Sequence, residues 1–315
     1  MGPAAPPWRI AMTDRTDRTE NLTANPTVDD ARRFFAEEIG AVAHLESRAL
    51  VEAFARVPRE AFLGPGPWQI VRAFDIATPY RRSADDDPRH IYHDVGVAID
   101  PARMLNNGQP SALARWIEAA AVAPGDAILH IGCGLGYYTA ILSELTGATG
   151  RVVACDVDPD LAARAARNLA LWPQVEVESS DAASPRGTFD VIFVNAGATR
   201  ARPEWLGALR PAGRMILPLT VHLPVYPQGI GVMLRIDRAE PGRAEPGRAG
   251  HAWPARVLSQ VGIYDCAGAR DPADEAELMK LVGPGVASRI AAVSVDAHAR
   301  GEACLVHMEG FCVQS

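Results

Sequence analysis

The chain has 315 residues, 48% of them hydrophobic and 22% charged, and a formal net charge of −7. This balance excludes a disordered chain, and the acidic charge argues against a protein built to hold nucleic-acid phosphates. Five cysteines, Cys133, Cys155, Cys266, Cys304 and Cys312, lie far apart with no CxxC, so their spacing offers no disulfide framework, zinc knuckle or redox pair, and no metal is expected.

Residues 1–27 are rich in Pro, Thr, Asp and Arg without an apolar period and read as a flexible tail, in which Met12 is a candidate start. They lack the apolar core of a signal peptide, and no run approaches the ~18 apolar residues of a membrane span, so a reduced, cytoplasmic protein is expected. Of the 31 basic residues only Lys280 is lysine, a compositional bias that makes most arginines solvated surface charge.

From Asp29 the pattern turns helical, with Ala31, Phe34, Phe35 and Ile39 on one face. A second helix covers 46–56 and stops before Pro58. Residues 64–108 are irregular, with short strands expected over 91–94 and 96–99. A helix opens at Pro110, with Leu113, Trp116 and Ile117 facing inward. From 127 the chain alternates: strands at 127–131, 151–155, 175–178, 190–195 and 214–217, separated by helices at 137–145, 159–171 and 203–209. That alternation predicts an α/β fold with a doubly wound, mainly parallel, Rossmann-like sheet. Later strands are expected at 231–236 and 256–263. Between them AEPGRAEPGR (239–248) repeats five residues twice and reads as a loop insertion. A helix near 273–281 and a last strand near 304–313 give the C-terminal stretch an α+β character.

The strand 127–131 runs into Gly132-Cys-Gly-Leu-Gly136 and then a helix, the turn that lets backbone approach a ligand closely at the crevice of an open α/β sheet. Asp156 ends the next strand, placed to accept hydrogen bonds from ribose hydroxyls. A nicotinamide fingerprint requires GxGxxG, but the third position here is Tyr137. GxGxG suits S-adenosyl-L-methionine, which has no pyrophosphate to cradle. A dehydrogenase is the more distant reading.

Further positions fall in order along the chain: Val57-Pro-Arg-Glu-Ala-Phe62, Tyr92-His-Asp94, Gln109-Pro110, Pro124-Gly-Asp126, Asp181, Phe189-Asp190, and Leu209-Arg-Pro-Ala-Gly-Arg214 entering Ile216-Leu-Pro218. Together they resemble the protein-L-isoaspartate O-methyltransferases from about Ala49 to Ala267. The resemblance implies a class I S-adenosyl-L-methionine-dependent methyltransferase domain over 110–267, N-terminal helices and substrate-side loops over 28–109, and a C-terminal extension over 268–315. It implies a cofactor held by Gly132, Gly134, Gly136, Asp156, Asp181 and Asn195, with Gln109 beside them. The acceptor it implies is a carboxylate of a protein or peptide.

The chain departs from that family at one point of chemistry. The family's T-I-S turn aligns with Asn106-Asn107-Gly108, so the serine hydroxyl is absent. A carboxylate acceptor, with an ordinary pKa near ~4, is already ionised and needs alignment more than a base. The amides of Asn106 and Asn107, or the backbone of Gly108, are then the candidate donors. For a hydroxyl or amine acceptor, His93 and Asp94 are the candidate bases. His130 is either a core histidine or a pocket residue, and Arg103 and Arg200 are candidate cations for an anionic acceptor. Two alternatives remain: a specialised peptide methyltransferase, forming an aspartimide or a C-terminal ester, and a cofactor-binding relative without catalysis.

Overall fold

The computed structural model describes residues 25–72, 80–223, 228–238, 252–283, 285–295 and 297–315. Most of the expected tail and all of the 239–248 repeat lie outside the described residues. Three helices come first: α1 (Val28–Val42), α2 (Arg48–Arg56) and α3 (Glu60–Leu63). Thr27 and Asp30 close a reciprocal capping box that starts α1. Short strands β1 (Gln69–Val71), β2 (Tyr80–Arg82), β3 (Ala98–Asp100) and β4 (Leu105–Asn106) form two small hairpins ahead of α4 (Pro110–Ala119).

The α/β alternation follows: β5 (Ala127–Ile131), α5 (Tyr137–Thr146), β6 (Arg151–Asp156), α6 (Pro159–Asn168), β7 (Val175–Ser179), β8 (Phe189–Val194), α7 (Pro203–Ala208) and β9 (Leu209–Val221). Then come β10 (Gly229–Asp237), β11 (Ala252–Ile263), α8 (Pro272–Leu278), β12 (Ala292–Ser294), β13 (Cys304–Met308) and β14 (Phe311–Gln314).

Ten strands build one sheet in the order β13-β14-β12-β11-β10-β9-β8-β5-β6-β7. The β9-β8-β5-β6-β7 half is parallel, and the rest pairs antiparallel. The chain order reverses around β5, which opens a crevice at the carboxyl ends of β5, β6 and β8. Both faces are covered. Ile128, Val191 and Phe193 pack on one side with α1, α2, α4 and α5. Leu129, Ile131, Ile192 and Val194 pack on the other with Trp205 and the C-terminal segment. Strands buried on both faces explain the near-continuous apolar runs at 127–131 and 189–194. None of the described helices is long and apolar enough to cross a membrane.

Three local expectations are corrected. Residues 91–94 are not a strand: a 3-10 turn spans Pro88–Ile91, and the carbonyls of Ile91, His93 and Val95 are taken by the buried Arg59 guanidinium instead of a partner strand. The single strand expected near 304–313 is a hairpin, β13 and β14, turning at Gly310 with φ +71°. The sheet is also less parallel than its sequence suggests, because β12–β14 extend the antiparallel edge.

Candidate active site

A cleft of about 470 Å³ opens at the carboxyl ends of the parallel strands. Its floor is the β5–α5 loop. Gly132, Gly134 and Gly136 all have positive φ, at 77°, 56° and 90°, and the backbone N–H groups of Gly132 and Cys133 both donate to the Cys155 carbonyl. Gly132 and Gly134 line the cleft; Gly136 does not. Gly136 is the left-handed N-cap of α5, and a Cβ there would sit 2.7 Å from Leu169 Cδ1. Its role is the close approach of α5 to the end of α6, not ligand contact.

The acidic wall is Asp156, Asp158 and Asp181. Asp156 is 9% exposed and accepts from the N–H groups of Gly134 (2.8 Å) and Asp158 (3.0 Å). Burial pushes its carboxyl above the ordinary value, and these N–H donors pull it back. Asp158 caps α6 through the N–H groups of Asp160 and Leu161. Asp181 accepts from the Ala183 N–H (2.9 Å) and from Arg202 Nη1 (3.2 Å). Those two donors hold its carboxyl below the usual range, the backbone one more strongly. Asn195 lines the cleft at the end of β8.

The opposite wall is the 105–109 segment with residues of β11 and the stretch after it. Asn106 Nδ2 donates to the Tyr264 hydroxyl (2.9 Å), and its Oδ1 accepts the Gly108 N–H (2.9 Å). Asn107 Oδ1 accepts from the Val97 N–H (2.8 Å) and Arg59 Nη2 (3.3 Å). Two donors on one oxygen fix the amide's orientation. They leave Nδ2 as a buried donor without a protein partner. Gly108 has φ +75°, and a Cβ there would meet Leu113 Cδ2 at 2.8 Å. The position of the missing serine therefore admits no serine without rearrangement.

The remaining candidates divide. Gln109 lines the cleft, but its Nε2 donates to Asp94. Asp94 does not line it: the carboxylate accepts the N–H and hydroxyl of Ser111, holding the first turn of α4. His93 is exposed and lies outside the lining. The structure thus does not bring the His93–Asp94 pair into the cleft. His130 is fully buried, with Nδ1 2.9 Å from Thr139 Oγ1 and its ring edge-on to Phe193. Burial pushes it down to about 3, so it is a neutral core histidine. Arg103 stands at the cleft, paired to Asp100 and Asp158. Arg200 lies elsewhere, bound to the buried Asp274 of α8.

Arg59 is the residue whose role the sequence did not disclose. It is 0% exposed, stacks on Phe35 at 5.6 Å and reaches three carbonyls plus Asn107. Its place in the Val57–Phe62 segment was the available signal, but that segment gives no hint of its partners.

A glycine cradle with positive φ, carboxylates on successive strand ends and a crevice at the reversal of strand order fit S-adenosyl-L-methionine, and a Cβ on Gly132 would crowd Ala196 at 3.3 Å. The chain is a class I S-adenosyl-L-methionine-dependent methyltransferase. A family model for protein-L-isoaspartate (D-aspartate) O-methyltransferases matches residues 37–242, and the chain belongs to that family. It is 33% identical over 181 residues to a protein-L-isoaspartate O-methyltransferase of Gloeobacter violaceus, covering 56% of this chain and 76% of that one. A Methanopyrus kandleri protein of the same name is 27% identical over 241 residues, covering 75% and 94%. A solved protein-L-isoaspartate O-methyltransferase superposes with a TM-score of 0.55 at 20% identity, over 76% of this chain and 66% of that one, just under two thirds of its length. A Plasmodium falciparum structure described as such an enzyme with S-adenosyl-L-homocysteine gives 0.54 at 14% identity, over 75% and 97%.

Proposed function

We propose that the chain methyl-esterifies a carboxylate of a protein or peptide, with an isoaspartyl residue as acceptor. One observation carries the choice of a carboxylate. Among the described residues, the cleft lining holds no histidine or lysine, and burial pushes up the hydroxyls of its tyrosines Tyr137, Tyr138 and Tyr264. Its aspartates are already committed, Asp156 and Asp181 to backbone N–H groups, Asp158 to Arg103, and Asp265 to His222 and Arg270, and an ionised acceptor needs no base.

When bound, S-adenosyl-L-methionine supplies the methyl group and the leaving group. The chain's own part is to hold and align. Asp156 and Asp181 are the acceptors for the cofactor's ribose and adenine ends, with Gly132, Gly134 and Asn195 beside them. Asn107 Nδ2 is the donor for the acceptor carboxylate, its amide aimed by Arg59 and Val97 N–H; Nδ2 is buried, so the contact requires the 105–109 segment to shift when the acceptor binds. Alignment of this kind lowers a barrier by roughly 7–11 kcal/mol when complete. Cytoplasmic location fits a repair role of this type.

A second reading has an observation of its own. Gly108 takes a left-handed φ and abuts Leu113, so the serine of the family's turn would require a shift there, which favours a specialised peptide acceptor over general repair. Incubation with labelled cofactor and matched isoaspartyl, aspartyl and carboxyl-blocked peptides separates the readings. Base-labile methyl ester on the isoaspartyl peptide is the expected result. Cofactor binding with no ester on any carboxylate would refute the proposal.

A further inference from the structure

The C-terminal hairpin gathers four soft or borderline donors that lie apart in sequence. His298, Cys304, His307 and Cys312 place one ligand atom each within 4.8 Å of one another. The register explains how. His307 pairs directly with Cys312 across β13 and β14, so they share a face. Cys304 is three residues before His307 and would point the other way in a regular strand. A bulge between Cys304 and Val306 pairs Cys304 with Gln314, two residues from Cys312, and so returns it to the same face. His298 comes back from the preceding loop, its Nε2 3.6 Å from Cys304 Sγ and its ring 5.0 Å edge-on to that of His307.

The cluster has an unmet requirement. His307 Nδ1 is buried and has no hydrogen-bond partner. The Cys304 and Cys312 thiols are not joined. None of the four residues lines the cofactor cleft.

We propose that His298, Cys304, His307 and Cys312 form a four-coordinate zinc site that locks the edge of the ten-stranded sheet. Two thiolates and two neutral imidazoles are a common closed structural set for Zn²⁺. Loss of the two thiol protons on binding makes the site neutral, and no electron is exchanged. A tetrahedron with ordinary zinc–sulfur and zinc–nitrogen bonds has edges of roughly 3.3–3.8 Å, so closure around the ion needs only a slight contraction. The ion also gives His307 Nδ1 its partner. It ties the 297–303 loop to the outermost hairpin of the sheet. With no CxxC, the sequence hides this site; the bulge assembles it.

The test uses the full chain, expressed with zinc and purified without chelator. Elemental analysis is expected to find one zinc per chain. Cys304→Ser and His307→Ala should each lower that content at least tenfold, whereas Cys266→Ser should retain it. Should those variants fail to fold, the wild-type chain still decides. After chelator treatment and addition of Co²⁺, tetrahedral cobalt bands with thiolate charge transfer are expected, and alkylation of Cys304 and Cys312 should be slow with zinc and fast without it. A metal-free wild-type chain, absent cobalt bands, a Cys304–Cys312 disulfide in fresh protein, or full zinc content in the variants would overturn the site.

Discussion

The two walls of the cleft are built by different means. The wall proposed to hold the cofactor is local: a glycine turn, two strand ends and their backbone N–H groups place Gly132, Gly134, Asp156 and Asp181 within the β5–β8 units. The wall proposed to hold the acceptor is assembled over long range. Arg59 reaches some fifty residues forward to Asn107, and Asn106 some 160 forward to Tyr264. The first wall follows from the fold and tolerates change elsewhere; the second depends on a few buried polar contacts.

The largest expected effect is therefore at Arg59. Replacing it with methionine removes a donor from three carbonyls and from the Asn107 oxygen, which keeps only the Val97 N–H. Each buried acceptor left short of a donor costs about 1–3 kcal/mol. Denaturant unfolding should report that loss. If the acceptor wall is separate, the affinity of the surviving fold for the cofactor should change far less than its methyl-transfer rate.

The next effect belongs to the shared core. His130 is held down to about 3 in the fold against an ordinary 6.5. Between those values the unfolded chain binds the extra proton, so stability rises with pH there and is lost as pH falls from about 6.5 toward 3. The slope from one group is at most about 1.4 kcal/mol per pH unit. His130→Leu should flatten this acid limb in thermal unfolding from pH 7 to 4, without creating a pH dependence of transfer near neutrality.

Asp156→Ala strikes the cofactor wall. Loss of a charge-assisted acceptor costs about 2–3 kcal/mol, so calorimetry should find cofactor affinity lower by tens to a hundredfold. A wild-type affinity would contradict the assignment. Gly108→Ser gives the smallest effect. The left-handed φ and the contact with Leu113 make a serine cost about 1–2 kcal/mol. Adding Leu113→Ala should relieve the crowding but not the backbone cost, so the double variant should gain no activity over wild type.

The same contrast explains what the sequence disclosed. The apolar strands, the GxGxG turn and Asp156 are neighbours in sequence and in space, so the parallel half-sheet and the glycine–aspartate side of the cleft were legible. Three readings failed where distant partners decide. Gly136 looks like a ligand residue but seats α5 against Leu169. Asp94 looks like a base but secures α4 through Ser111. Arg200 looks like a cleft cation but anchors Asp274. The run at 91–94 has a strand's alternation, and Arg59 supplies the donors a neighbouring strand would have given.

The central claim is that Asn107 orients the acceptor while the glycine–aspartate wall holds the cofactor. Its most direct test is one pair of measurements on Asn107→Ala: cofactor affinity by calorimetry, and the rate of base-labile ester formation on an isoaspartyl peptide. Loss of one donor to a charged acceptor, about 1.5–3 kcal/mol, should slow transfer by roughly ten- to a hundredfold, with cofactor affinity within about threefold of wild type. An unchanged rate, or affinity and rate falling together, would contradict it.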